Sequence, residues 1–148
     1  VCMVYYYHKL IKNPEIAKKV SLYASIPEIR KMLVKQQRRI AEKGSVIMDG
    51  RDIGTHVFPD AQVKIFMTAD PKIRAERRYK ELQSKGDKET TLEEVFENLA
   101  HRDYADTTRE ESPLIRAEDA IILDNTELTE SEQLAFAIEK IKPFQGNN

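Results

Sequence analysis

The sequence predicts an α/β protein with a parallel sheet and flanking helices. Three observations carry that reading. Short apolar runs of strand length alternate with longer segments of helical period, and polar caps precede those segments. Glycine or proline punctuates the junctions.

In chain order, Asn13-Pro14-Glu15 reads as a helix start, with Asn13 as cap and Pro14 in the first helical position. Ser25-Ile26-Pro27-Glu28 has the pattern of a capping box opening a longer helix, with Ile29, Leu33 and Ile40 as its apolar stripe. Gly44 ends that helix, and Val46-Ile47-Met48 is the first predicted strand. Pro59-Asp60 turns the chain into a second, Val63–Met67. Asp70-Pro71 caps a helix carrying Ala75, Tyr79 and Leu82, closed by Gly86. Thr91-Leu92-Glu93-Glu94 is another capping box, followed by Leu92, Val95, Phe96 and Leu99 at a helical period. Asp119–Asp124 is the third strand. Thr129–Glu132 caps a last helix with Leu134, Ile138 and Ile141 inward. Three strands are few for a parallel sheet, whose apolar strands need neighbours on both sides. The set is expected to be the later part of a sheet whose first strand is absent, and the start at Val1 suits a fragment.

The 148 residues carry 41% apolar and 33% charged side chains with a net charge of −1, which excludes bulk disorder and gives no general attraction to nucleic acid or membrane. No apolar run is long enough to span a bilayer. The single cysteine, Cys2, points to a reducing cytoplasm, and the scattered His8, His56 and His101 make a zinc site an unattractive reading.

The most informative stretch is Asp49-Gly50-Arg51-Asp52-Ile53-Gly54-Thr55, at the end of a predicted strand, where open α/β sheets place ligands. Its glycines allow close backbone approach. Arg51 offers a planar fork for phosphate or carboxylate, and Asp52 accepts from an amino group or hydroxyl. The structural alternative is a tight turn in which Arg51 and Asp52 pair with each other. Arg74, Arg77 and Arg78 lie on one helix, either as phosphate-facing groups or as solvated ion pairs. Arg102, Asp106 and Arg109, spaced by four and three, prolong the stripe of Val95 and Leu99, so helical geometry turns them inward. Inward cations need an anion or a wet cleft, which phosphoryl transfer supplies. Alternatively, Arg102 and Arg109 close structural pairs with Asp103, Asp106 or Glu110.

These blocks together, with Val57-Phe58-Pro59-Asp60-Ala61, Val63–Phe66, Arg74-Ala75-Glu76-Arg77-Arg78-Tyr79, Arg102-Asp103 and Ser112-Pro113-Leu114, closely resemble the bacterial cytidylate kinases from about Ile11 to Ile141. The resemblance implies the fold of the P-loop nucleoside monophosphate kinases and transfer of the γ-phosphoryl of ATP to CMP or dCMP with Mg²⁺. It also implies a cytoplasmic protein, monomeric at full length, with nucleotides as partners rather than nucleic acid or membrane. By position, it makes Ser21, Arg30 and Asp52 readers of cytosine. Arg51 and Arg109 hold the acceptor phosphate, and Asp106 bonds the ribose. Arg102 stabilises the transferred phosphoryl group, and Arg77 and Arg78 lie in or near a lid, on the donor side. Residues 1–44 correspond to a remnant of the acceptor-binding region with its connecting helix. Residues 45–148 correspond to the later part of the kinase core, with the lid at about 74–109.

Two departures matter. Lysine stands at position 12, where the family usually has arginine. No glycine of this sequence is followed at the right spacing by Lys-Ser/Thr, so the loop that holds ATP phosphates and Mg²⁺ in the family is not among these residues. The expectation is therefore a (d)CMP kinase segment with little or no activity alone. The competing reading is a non-catalytic nucleotide-binding or oligomerising fragment, and specificity for UMP or another monophosphate stays open.

Overall fold

The computed structural model describes residues 26–42 and 44–144. They belong to two compact units, Val1–Met48 and Asp49–Asn148. The expected helix at Asn13-Pro14, Lys12 and Ser21 lie outside the described residues.

In the first unit, α1 spans Pro27–Ala41, with Pro27 in the first helical turn, where its missing N–H costs nothing. The cap position is Ile26, one residue later than the predicted Ser25, and it makes no side-chain cap bond. Arg30 N–H donates to the Ile26 carbonyl at 2.9 Å, so the cap is made by backbone alone. Val34 is the buried residue of α1, whereas Leu33 and Ile40 of the predicted stripe are exposed. Gly44 takes φ +145° just beyond the helix end, a conformation that side chains resist.

The second unit is built around a parallel two-stranded sheet. The strand β1, Ile65–Thr68, pairs with β2, Ile121–Asp124, in the register Ile65 to Ile121 through Thr68 to Asp124. Between them, α2 (Pro71–Ser84) packs against α3 (Leu92–Thr108), and α4 (Glu130–Ile141) follows β2. Each helix opens as its sequence dictates. One oxygen of Asp70 accepts from the N–H groups of Lys72 and Ile73 at 2.8 and 3.3 Å. Thr91 with Glu94, and Thr129 with Glu132, form complete capping boxes. A cap of this kind is worth about 1 kcal/mol, enough to fix where a helix starts but not to hold a fold together. Gly86, at φ +90°, closes the turn after α2.

Two predictions fail here. Residues 45–49 form no strand, and Ile47 is 92% exposed. An apolar run becomes a strand only when a neighbour completes its hydrogen-bond ladder, and none does among the described residues. Leu134 and Ile138, expected inward on α4, are 61% and 43% exposed. A sheet of two strands is too narrow to cover the apolar faces that the sequence provides. Among the described residues of this unit, the buried apolar ones are Val57, Ala75, Val95 and Leu123.

Candidate functional site: an arginine and aspartate cluster

The loop at Gly50–Thr55 is not an open turn. It leads into a single π-helical turn, Ile53–Val57. The Asp52 carbonyl accepts from the N–H groups of His56 and Val57 at 2.8 and 3.2 Å, and Phe58 N–H donates to the Ile53 carbonyl at 2.7 Å. This wide turn buries Asp52 and Val57, leaving them 4% and 1% exposed. A π-turn is rare and recurs at functional sites. Gly50 gives the Ile53 side chain room, because a Cβ there would stand 2.8 Å from Cγ1 of Ile53 and force it to shift.

Arg51 does not pair with Asp52. Its Nε donates to Oδ2 of Asp106, on α3, at 2.7 Å across 55 residues of sequence. Arg109, the residue that ends α3, brings its guanidinium to 3.7 Å from Oδ1 of the same carboxylate. It is steadied by a 2.7 Å bond from its Nε to the Ser112 carbonyl. Ser112 takes φ +53°, and Leu114 N–H returns to the Asp106 carbonyl at 2.7 Å, so the chain folds back tightly on the end of α3. Three predicted site residues, Arg51, Asp106 and Arg109, therefore stand together.

One turn earlier on α3, Asp103 is gripped by Arg74 of α2 through two bonds, at 2.5 and 3.1 Å. That hydrogen bonding holds Asp103 below the ordinary carboxylate range, and the fields of Arg51 and Arg102 lower it further. Arg51 thus acts on Asp103 as well as on Asp106. Arg51, Arg74, Arg102 and Arg109 are four guanidiniums against the carboxylates of Asp103, Asp106 and buried Asp52, so positive charge is in excess among them. A cluster with that balance suits an incoming anion, and guanidinium forks suit phosphate oxygens.

Because Asp103 is depressed in the folded state, its stabilising contribution is complete above the unfolded carboxylate pKa. It is lost as pH falls through the lower folded value. Urea unfolding from about pH 6 to about pH 3 should show the stability gap between the parent and Asp103→Asn closing with acid. The gap should stay under about 1 kcal/mol, since both partners of the ion pair are more than a third exposed.

Arg77 and Arg78 diverge. Arg77 donates to Oδ1 of Asn125 at 3.0 Å and to the carbonyls of Asn125 and Thr126 at 2.8 and 3.0 Å. Arg78 pairs with Glu81 on its own helix at 2.6 Å. Thr126 Oγ1 accepts from Asp70 N–H at 2.9 Å and donates to Asp124 at 2.6 Å. These bonds shape an open groove at the carboxyl ends of both strands, lined by Thr68, Ala69, Asp70, Asp124, Thr126, Glu127 and Leu128. Arg30 lies on α1, in the other unit, and Ser21 outside the described residues.

Sequence reading missed the role of Lys64. Its Nζ donates to both oxygens of Asp119, at 2.9 and 2.7 Å, and to the Pro59 carbonyl. A lysine beginning an apolar strand, with an acid opening the strand that pairs with it, is the signal that could have found this pair.

Among the described residues, no group of three or more His, Cys, Asp or Glu side chains could hold a metal ion. They do not fit Mg²⁺ on their own. None of the described helices is long and apolar enough to cross a membrane.

Comparison with known proteins gives the family. The sequence profile described as Cytidylate kinase matches residues 6–143. The chain is 49% identical over 132 residues to a cytidylate kinase of Parabacteroides distasonis, covering 89% of this chain and 57% of that protein. It is 52% identical over 132 residues to one of Caldanaerobacter subterraneus subsp. tengcongensis, covering 89% and 58%, and 44% identical over 137 residues to one of Porphyromonas gingivalis, covering 93% and 59%. The chain thus spans somewhat over half the length of these relatives. With a profile match over nearly all of its residues, and with the parallel strands and flanking helices that such a fold requires, the chain belongs to the cytidylate kinase family.

Proposed function

We propose that this chain carries the acceptor half of a kinase that transfers the γ-phosphoryl group of ATP to CMP or dCMP, giving the diphosphate. The observation that carries the reading is the meeting of Arg51, Asp106 and Arg109 around one carboxylate, with Asp52 buried beside Arg51. Arg51 and Arg109 take the acceptor phosphate, Asp106 the ribose, and Asp52 the exocyclic amino group of cytosine. Ser21 and Arg30 are the further base readers. Arg102 stabilises charge on the transferred group as the acceptor oxygen attacks in line. Positioning and charge neutralisation dominate such a reaction, which is why arginines rather than nucleophiles fill the site. Arg77 and Arg78 serve the donor side, with Arg77 acting through the Asn125–Thr126 loop that it holds. Mg²⁺, when bound in the family, neutralises donor phosphate charge. The described residues supply no ligand set for it, and no step here is drawn through it. Pyrimidine nucleotide metabolism in the cytoplasm, by a monomer, is the setting this reading gives. A single cysteine suits a reducing compartment.

Calorimetric titration of the 148-residue chain tests the acceptor assignment, and turnover after a phosphate loop is supplied separates it from a different class of role. Weak CMP binding without ATP binding is the expected result. The second reading, a non-catalytic fragment, draws on the lack of a Gly-Lys-Ser/Thr loop in these residues. It predicts the same CMP binding but no turnover once a phosphate loop is supplied. Absence of any CMP binding would sink the acceptor assignment.

A further inference from the structure

We propose that Lys64, with Asp119 as its counter-charge, is a positioning residue for the acceptor loop; the inference rests on the functional reading above. The side chain of Lys64 is only 9% exposed, whereas Asp119 is 64% exposed. A buried ammonium is costly unless its donors are satisfied. Here they are satisfied by both Asp119 oxygens and the Pro59 carbonyl. The partners come from two places that the sheet alone does not join. Asp119 lies in the turn two residues before β2, and Pro59 follows the π-turn.

The stem of Lys64 does a second job. A Cβ placed on Gly54 would stand 3.3 Å from Cδ of Lys64, 3.5 Å from Cγ and 3.8 Å from Cβ. The aliphatic chain therefore lies directly against the π-turn at Gly54, its second residue, where an added Cβ would push the stem aside by a few tenths of an ångström. Lys64 supports the turn at Gly54 and fastens its exit at Pro59. Its own carbonyl, meanwhile, accepts from Ile121 N–H at 2.9 Å at the start of the strand pair. The turn is internally stiff, through the bonds from His56, Val57 and Phe58 back to Asp52 and Ile53. Fixing it at Gly54 and at its exit thus fixes its beginning, where Arg51 reaches Asp106. Lys64 touches no proposed ligand; it acts by holding the loop that does.

The test titrates CMP into the parent chain, Lys64→Met, Lys64→Arg and Asp119→Asn, with amide hydrogen exchange read in parallel at His56, Val57 and Phe58. Lys64→Met keeps the stem but loses the charge, and should weaken CMP binding by about tenfold and speed exchange in the turn. Lys64→Arg should recover part of the affinity. Asp119→Asn changes an exposed partner, so it reports even if Lys64→Met does not fold, and it should weaken binding by about threefold. Faster exchange with unchanged CMP affinity would mean that the lysine only stabilises the turn, and would overturn the proposal. So would parental behaviour in both readouts. If the parent itself fails to bind CMP, the functional reading falls first; loss confined to the variants tests Lys64 alone.

Discussion

Arg51→Met should weaken CMP binding to this chain by about 100-fold while leaving cytidine binding within about threefold. Two effects combine in the first figure. The substitution removes one guanidinium fork from the phosphate. It also leaves the Asp106 carboxylate, 18% exposed, with Arg109 at 3.7 Å as its remaining cationic partner in the cluster, so that more of its negative charge faces the incoming anion. Cytidine carries no phosphate and meets neither effect. Arg51→Lys should recover only part of the loss, because an ammonium cannot use a forked geometry. Calorimetry with both ligands reads the difference directly. Equal losses for CMP and cytidine would show that Arg51 holds the loop rather than the phosphate.

The largest expected effect concerns turnover. A coupled assay of CMP-dependent ATP consumption should find the 148-residue chain at least about 1,000-fold slower than the full-length relative from Parabacteroides distasonis. The acceptor is only one of two phosphates to be aligned, and alignment is most of what a kinase contributes. The residues that would hold the donor's β and γ phosphates in such a fold are a glycine-rich loop ending in Lys-Ser/Thr, and these residues contain none. A rate near that of the relative would mean that ATP is held by some other set of groups, and would require a different mechanism.

Local chemistry made much of this fold legible in the sequence. Asp70, Thr91 and Thr129 each cap the helix they were read to cap, since capping depends on neighbours three residues away. The apolar runs at 63–67 and 119–124 contain strands because each finds the other. Val46–Met48 has the same composition and forms none, because pairing is a property of two segments and no single segment reveals it. Burial fails for a related reason. Phe96, Leu134 and Ile138 fit their periods yet stay 38%, 61% and 43% exposed, since a period says which face is apolar and not whether anything covers it. At the site, the inward direction of Asp106 and Arg109 could be read from spacing, whereas Arg102, expected inward on the same stripe, is exposed. The partner of Arg51 could not, because it lies 55 residues away. Nor could the π-turn, whose single extra residue per turn leaves no signature in polarity.

The pairing of Arg51 with Asp106 has a kinetic meaning on the proposed reading. The guanidinium is never bare, so an arriving phosphate exchanges with a resident carboxylate instead of filling an empty charge. Each association is traded against a bond already made, and each departure is helped by one ready to re-form. Such an exchange holds affinity down and speeds release of the more highly charged diphosphate. A catalyst that must let go of its product once per cycle benefits from an acid that waits beside the arginine to take the ligand's place.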